Sequence, residues 1–211
     1  FLFFAALKKV PLKYAKYLHD REKESKDANF GMHCERVFAY ELYRQWANLL
    51  DVYNSPFILN GEPSKNVDNF YTIKNEETNE RDKYPDLVLH KGQDAKDGNE
   101  IVCEIKKSTK VTNDNLKTDI DKLNKFTSGE NHYTWGIQLI YEYKSQCSEK
   151  PTFDLSMFKE KYGSICSEYG DNKRILIVYL EYGEDENAKP EIRLDSLTNI
   201  KKKKKHEAFT F

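Results

Sequence analysis

The chain has few cysteines, no long apolar run and no charge of one sign. Its four cysteines, Cys34, Cys103, Cys147 and Cys166, have none of the paired spacing that zinc sites use. Two of them fall in segments that read as core, which suits reduced thiols and a cytoplasmic setting. The opening Phe1-Leu2-Phe3-Phe4-Ala5-Ala6-Leu7 is apolar, but it lacks a basic lead-in and is too short to span a bilayer. It reads as the start of a packing helix. Lysine and arginine number 34 against 35 acids, for a formal net charge of −1. That balance excludes a global electrostatic pull toward nucleic acid, so any such contact must come from a local patch. No internal repeat is visible.

What the chain does have is charge, at 33% of residues, and bulky aromatics, with 12 Phe and 14 Tyr. Its 211 residues suit one domain with an ample core. Residues 1–30 read as an N-terminal helical arm, with 12–30 an exposed charged helix ending at Gly31. The main domain spans 31–200, and 201–211 form a basic tail around Lys201 to Lys205. Helical periodicity marks Cys34 to Leu50, Asn113 to Phe126 and Phe153 to Tyr169. Strand patterns mark Phe57 to Leu59, Phe70 to Ile73, Asp86 to His90, Ile101 to Lys106, Thr134 to Tyr143, Arg174 to Tyr182 and Glu191 to Leu194. Helix, strands, helix, strand is the order of an α/β sheet flanked by helices.

The informative segment is the pair of strands at 86–90 and 101–106. Side chains alternate along a strand, so Asp86, Val88 and His90 share one face, as do Val102, Glu104 and Lys106. The polar stretch Lys91 to Asn99 reads as a hairpin loop. Symmetric closure pairs Leu89 with Ile101, Val88 with Val102, Leu87 with Cys103 and Asp86 with Glu104, matching apolar to apolar throughout. Two carboxylates set opposite one another repel, and a divalent cation would turn that repulsion into coordination. The competing reading is an ordinary surface ion cluster, because acid-x-Lys occurs five times in this charged chain. Glu24-Ser25-Lys26, Asp94-Ala95-Lys96 and Asp171-Asn172-Lys173 lack a buried strand context. Glu142-Tyr143-Lys144 ends an apolar strand but has no Pro-Asp strand before it, and Pro-Asp occurs only at Pro85-Asp86.

These residues resemble the PD-(D/E)xK nuclease superfamily, of restriction-endonuclease-like fold, and specifically its bacterial members of unassigned role. The resemblance runs through Tyr84 to Gly92, Ile101 to Ser108, Asp119-Ile120-Asp121-Lys122-Leu123 and Tyr133 to Gln138, covering roughly residues 31–143. It implies a restriction-endonuclease-like mixed β-sheet flanked by helices, with an αβββαβ core. It also implies a Mg²⁺-dependent nuclease, with Mn²⁺ as a substitute, hydrolysing phosphodiester bonds of nucleic acid, most naturally DNA. Asp86, Glu104 and Lys106 would be catalytic; Asp86, Glu104, the Ile105 carbonyl and an acid on the first core helix would hold the metal. Lys106 would orient or help deprotonate the attacking water and stabilise the phosphorane.

Helical steps choose between two candidates for that helix acid. Glu35 shares a stripe with Phe38, Ala39, Leu42, Trp46 and Leu49, whereas Glu41 neighbours Arg44, Gln45 and Asn48 and reads as solvated. A Glu stabilised by the helix macrodipole is the competing account of Glu35. Lys122 and Gln138 are candidate nucleic-acid contacts, with a solvated lysine as the favoured competing reading of Lys122. Lys107 is a further one, although its side chain points to the other face and equally suits a solvated or backbone-contacting lysine. Lys117 and Lys125 read as solvated, with phosphate contact as the alternative. Asn113 is the expected N-cap of its helix, and His90 is expected to serve the strand end. Between Glu104 and Phe126 six lysines face four acids, a slight positive excess. The alternative to an enzyme is a catalytically idle nucleic-acid-binding or protein-interaction module of the same fold. No membrane contact is expected, and cutting both strands of a duplex would favour a homodimer.

Overall fold

The computed structural model describes residues 2–16, 30–61, 85–91, 98–108, 111–128, 133–143, 172–185 and 188–196, with side chains from 35 onward in the second stretch. Among these residues four helices, α1 (Leu2–Leu7), α2 (Leu12–Lys16), α3 (Phe30–Val52) and α4 (Asn113–Ser128), accompany six strands. These are β1 (Ile58–Gly61), β2 (Leu87–His90), β3 (Asn99–Lys107), β4 (Trp135–Tyr143), β5 (Ile175–Tyr182) and β6 (Glu191–Ser196). The strands form one mixed sheet whose spatial order is the chain order. β1, β2 and β3 pair antiparallel, β3, β4 and β5 pair parallel, and β6 returns antiparallel on β5. The molecule is therefore α/β, with the parallel joins central, where both faces can be covered.

Alternation along the strands sorts the core into two layers. Leu87, Leu89, Cys103, Ile105, Leu139 and Leu180 pack with α1 to α3, including Phe3, Leu7, Phe38, Leu42 and Trp46. On the opposite face Val88, Val102, Ile140 and Ile177 pack with Leu116, Ile120, Leu123 and Phe126 of α4. Phe38 stacks on Tyr141 at 4.0 Å between ring centroids, and Phe3 meets Trp46 edge-on at 5.0 Å. The apolar start of the chain is thus a packing helix, as expected. A parallel pair needs a crossover connection, and α4 supplies it between β3 and β4. It lies close to the sheet because β4 has glycine at 136: a Cβ there would stand 3.3 Å from Leu123 Cβ and 3.2 Å from Thr127 Cγ2.

The helix ends correct several expectations. Thr112, not Asn113, caps α4: its Oγ1 accepts from the Asn115 N–H at 3.3 Å, while Asn115 Oδ1 accepts from the Thr112 N–H at 2.9 Å. This reciprocal arrangement satisfies donors at the helix start that Asn113 would leave unpaired. At the far end Arg174 Nη1 donates to the Thr127 carbonyl at 3.0 Å. α3 starts before the expected Cys34, so Gly31 lies inside a helix rather than ending one. It closes with Ser55 N–H to Leu50 O and Asn54 N–H to Asp51 O, with Asn54 at φ 47°, a Schellman turn. Residues 12–16 are not an exposed helix face throughout, since Leu12 and Ala15 are buried.

The expected strand at Phe70 to Ile73, the helix at Phe153 to Tyr169 and the tail at Lys201 to Lys205 lie outside the described residues. Among the described residues no helix is long and apolar enough to cross a membrane.

Candidate active site

β2 and β3 pair in the register that apolar matching predicts, Leu87 with Cys103, Val88 with Val102 and Leu89 with Ile101. The ladder slips only beyond Leu89, where His90 pairs with Asn99. Asp86, just ahead of β2, therefore comes to the α4-covered side of β3 beside Glu104. The two carboxylates are not simply face to face, however. Asp86 Oδ2 accepts the backbone N–H of Ile105 at 2.7 Å. Two residues further along the same edge, Glu35 Oε1 accepts the Lys107 N–H at 3.1 Å. Because β2 begins only at Leu87, these two side chains take backbone donors that the neighbouring strand does not reach.

Glu104 and Lys106 share the face that α4 covers. Lys106 Nζ lies 3.8 Å from Glu35 Oε2 and 3.4 Å from Asp119 Oδ2. Lys122 Nζ lies 2.6 Å from Glu104 Oε1, with side chains 9% and 2% exposed. Gln138 is the register partner of Glu104 on β4 and is fully buried. The structure thus brings together Glu35, Asp86, Glu104, Lys106, Lys122 and Gln138, and adds Asp119. Sequence reasoning left Asp119 out, although it stands three residues after Leu116 and four before Leu123, on the edge of the stripe that α4 buries.

Burial raises the Glu104 carboxyl well above its ordinary value, and repulsion from Asp86 adds to this while Lys122 opposes it. Burial likewise raises Asp86, against the pull of Lys106 and the Ile105 N–H. Glu35 is raised for the same reason, with Lys106 and the Lys107 N–H opposing. For Lys106 burial works to lower the ammonium, but Asp119, Glu35, Asp86 and Glu104 outweigh it and hold it above its ordinary value.

Carboxylate oxygens are the donors that a hard divalent cation takes. Four acidic side chains, Glu35, Asp86, Glu104 and Asp119, surround the two amines of Lys106 and Lys122. Both polar atoms of Gln138 are buried without a hydrogen bond among the described residues, whereas Glu104 Oε1 and Asp119 Oδ2 are each met by an ammonium, Lys122 and Lys106. A buried amide left unsatisfied in this way is costly. Among the described residues no three His, Cys, Asp or Glu side chains converge as a ready cage. Mg²⁺ is commonly held through one or two carboxylates with several waters, so Asp86, Glu104 and the Ile105 carbonyl would be sufficient donors.

Four expectations are corrected. Lys122 is neither solvated nor free for phosphate, because it is buried against Glu104. Lys107 is not solvated either: it is 3% exposed, which leaves little surface for a nucleic acid. Glu41 is buried, not solvated, and carries Arg44 at 2.7 Å and Gln45 at 2.7 Å. These side-chain hydrogen bonds hold its carboxyl below the ordinary value against the opposing effect of burial. Lys91 to Asn99 is not wholly loop, since β3 begins at Asn99. His90 does serve the strand end, where its Nε2 lies 2.9 Å from Asn60 Nδ2. No protein-family model, no curated protein and no solved structure shows a significant match to the chain.

Proposed function

We propose that the protein is a metal-dependent nuclease that hydrolyses phosphodiester bonds, with DNA as the preferred substrate class. The observation that carries this reading is the meeting of Asp86, Glu104 and Lys106 on one buried patch, joined from α3 by Glu35. The order α3, β1, β2, β3, α4, β4 is that of the αβββαβ core of restriction-endonuclease-like folds, which supports it further.

Each side chain has a distinct task. Asp86 and Glu104, with the Ile105 carbonyl, would hold Mg²⁺ or Mn²⁺, and Glu35 would complete the set from the helix. When bound, the cation supplies positive charge against the phosphate oxygens and acidifies a water. The Ile105 N–H fixes Asp86 Oδ2, so the carboxylate presents one orientation. Lys106 is surrounded by acids and stays charged, which suits orienting the water and stabilising the phosphorane better than accepting a proton. Gln138, expected as a nucleic-acid contact, is fully buried beside Glu104, which leaves its amide no surface to offer a substrate.

A second reading, a catalytically idle nucleic-acid-binding or protein-interaction module, is favoured by one observation: Lys122 already neutralises Glu104 at 2.6 Å. The buried free thiol of Cys103 suits a cytoplasmic setting for either. Plasmid and oligonucleotide cleavage with Mg²⁺, Mn²⁺ or EDTA, using wild type, Asp86→Ala and Lys106→Ala, tests the proposal. Metal-dependent cutting lost in both variants is expected. Cutting in EDTA, or cutting unchanged in both variants, would overturn it.

A further inference from the structure

Lys122 stands where a bound cation would stand. Its ammonium lies 2.6 Å from Glu104 Oε1, deep between α4 and β3. A divalent cation on the same oxygen would sit at about 2 Å. Two positive centres that close, in a site so withdrawn from water, repel strongly. One of them must leave, and lysine, on its flexible four-carbon stem, is the one that can.

Acceptors for the displaced ammonium are already in place. Asp119 is three residues before Lys122 on the same helix, so the two side chains are neighbours on its surface; its Oδ2 already faces Lys106 at 3.4 Å, and a carboxylate has a second oxygen to give. Gln138 is the β4 register partner of Glu104, and its Oε1 is buried without a hydrogen bond. Both acceptors lie among the described residues, on the face of the sheet that α4 covers. Leaving the Gln138 oxygen unsatisfied is unfavourable in one state and relieved in the other, which is what a two-position lysine requires.

We propose that Lys122 is a displaceable internal cation: it holds Glu104 until a divalent cation arrives, then moves to Asp119 and Gln138. The inference rests on the cation-site reading above and adds to it a positioning residue that sets cation affinity. It also reconciles the neutralised Glu104 with an active site, because the ion pair becomes the resting state of a site that the cation opens.

Mn²⁺ binding, followed by its electron paramagnetic resonance signal without nucleic acid, tests the idea apart from activity. Lys122→Met, which keeps the stem and removes the charge, is expected to bind Mn²⁺ about 10-fold tighter than wild type. Gln138→Leu is expected to weaken Mn²⁺ binding in the wild-type background and to have no effect in the Lys122→Met background, the signature of coupling through the lysine. In the wild-type chain the Lys122 ammonium resonance is expected to shift on adding Mg²⁺, a readout that needs no variant to fold. Equal or weaker binding by Lys122→Met, equal effects of Gln138→Leu in both backgrounds, or an unmoved ammonium resonance would overturn the displacement while leaving the cation site standing. No Mn²⁺ binding by wild type and Lys122→Met alike would overturn the cation-site reading, and the displacement with it.

Discussion

Asp86 Oδ2 accepts the backbone N–H of Ile105 at 2.7 Å, so the carboxylate that opens β2 is fastened to the strand that carries Glu104. The bond does two jobs, holding the sheet edge together and orienting a charged group. Different substitutions separate them. Asp86→Ala removes the acceptor and is expected to cost about 1–3 kcal/mol in urea unfolding. Asp86→Asn keeps an acceptor and is expected to cost less, yet to lose about 100-fold or more in metal-dependent cleavage, as loss of an electrostatic stabiliser does. Asn cutting as fast as wild type would remove Asp86 from the cation site.

The alternation of residues 86–90 and 101–106 made this much legible in advance. Apolar residues could be matched in only one symmetric register, and that register put Asp86 and Glu104 on the side where α4 lies. Glu35 was legible because it shares a helical stripe with Phe38 and Leu42. Lys122 and Asp119 were not, because charged residues at the edge of an apolar stripe read as solvated unless the depth of helix docking is known. That depth follows from the glycine at 136, whose missing side chain lets α4 approach β4. Glu41 was hidden for a related reason. A single stripe was traced on α3, but α1 and α2 cover a second side of it, packing Phe3, Leu7, Leu12 and Ala15 into the same core.

Acid strength gives a prediction with a definite sign. Glu35, Asp86 and Glu104 all have folded-state pKa values above their ordinary ones. The folded chain therefore binds more protons than the unfolded chain between the ordinary carboxylate range, near about pH 4, and the raised values. In that window these groups make stability rise as pH falls, in the absence of divalent cation. Glu41, with its lowered value, works the other way at lower pH. Thermal unfolding in EDTA is expected to show a shallower rise on acidification for Glu104→Gln than for wild type. Identical profiles would contradict the raised Glu104.

Helix docking can be tested at Gly136. Gly136→Ala would press a methyl against Leu123 and Thr127 at 3.3 and 3.2 Å. Overpacking of this kind is expected to cost about 1–3 kcal/mol in urea unfolding. It should also weaken Mn²⁺ binding, because α4 carries Asp119 and Lys122. A neutral effect on both measurements would mean that α4 has room to move.

The cap of α4 predicts a smaller and purely structural effect. Thr112→Ala removes the Oγ1 acceptor of the Asn115 N–H and is expected to cost about 1 kcal/mol. Asn113→Ala, at the position sequence favoured, is expected to change stability by less. The reverse order in urea unfolding would return the cap to Asn113.

The central claim, that the strand acids form a cation site, is tested most directly by anomalous X-ray scattering from crystals grown with Mn²⁺. The account predicts a manganese peak about 2 Å from carboxylate oxygens of Asp86 and Glu104, with Lys122 moved off Glu104. A Mn²⁺-saturated crystal with no peak at that patch, and with Lys122 still on Glu104, would contradict it.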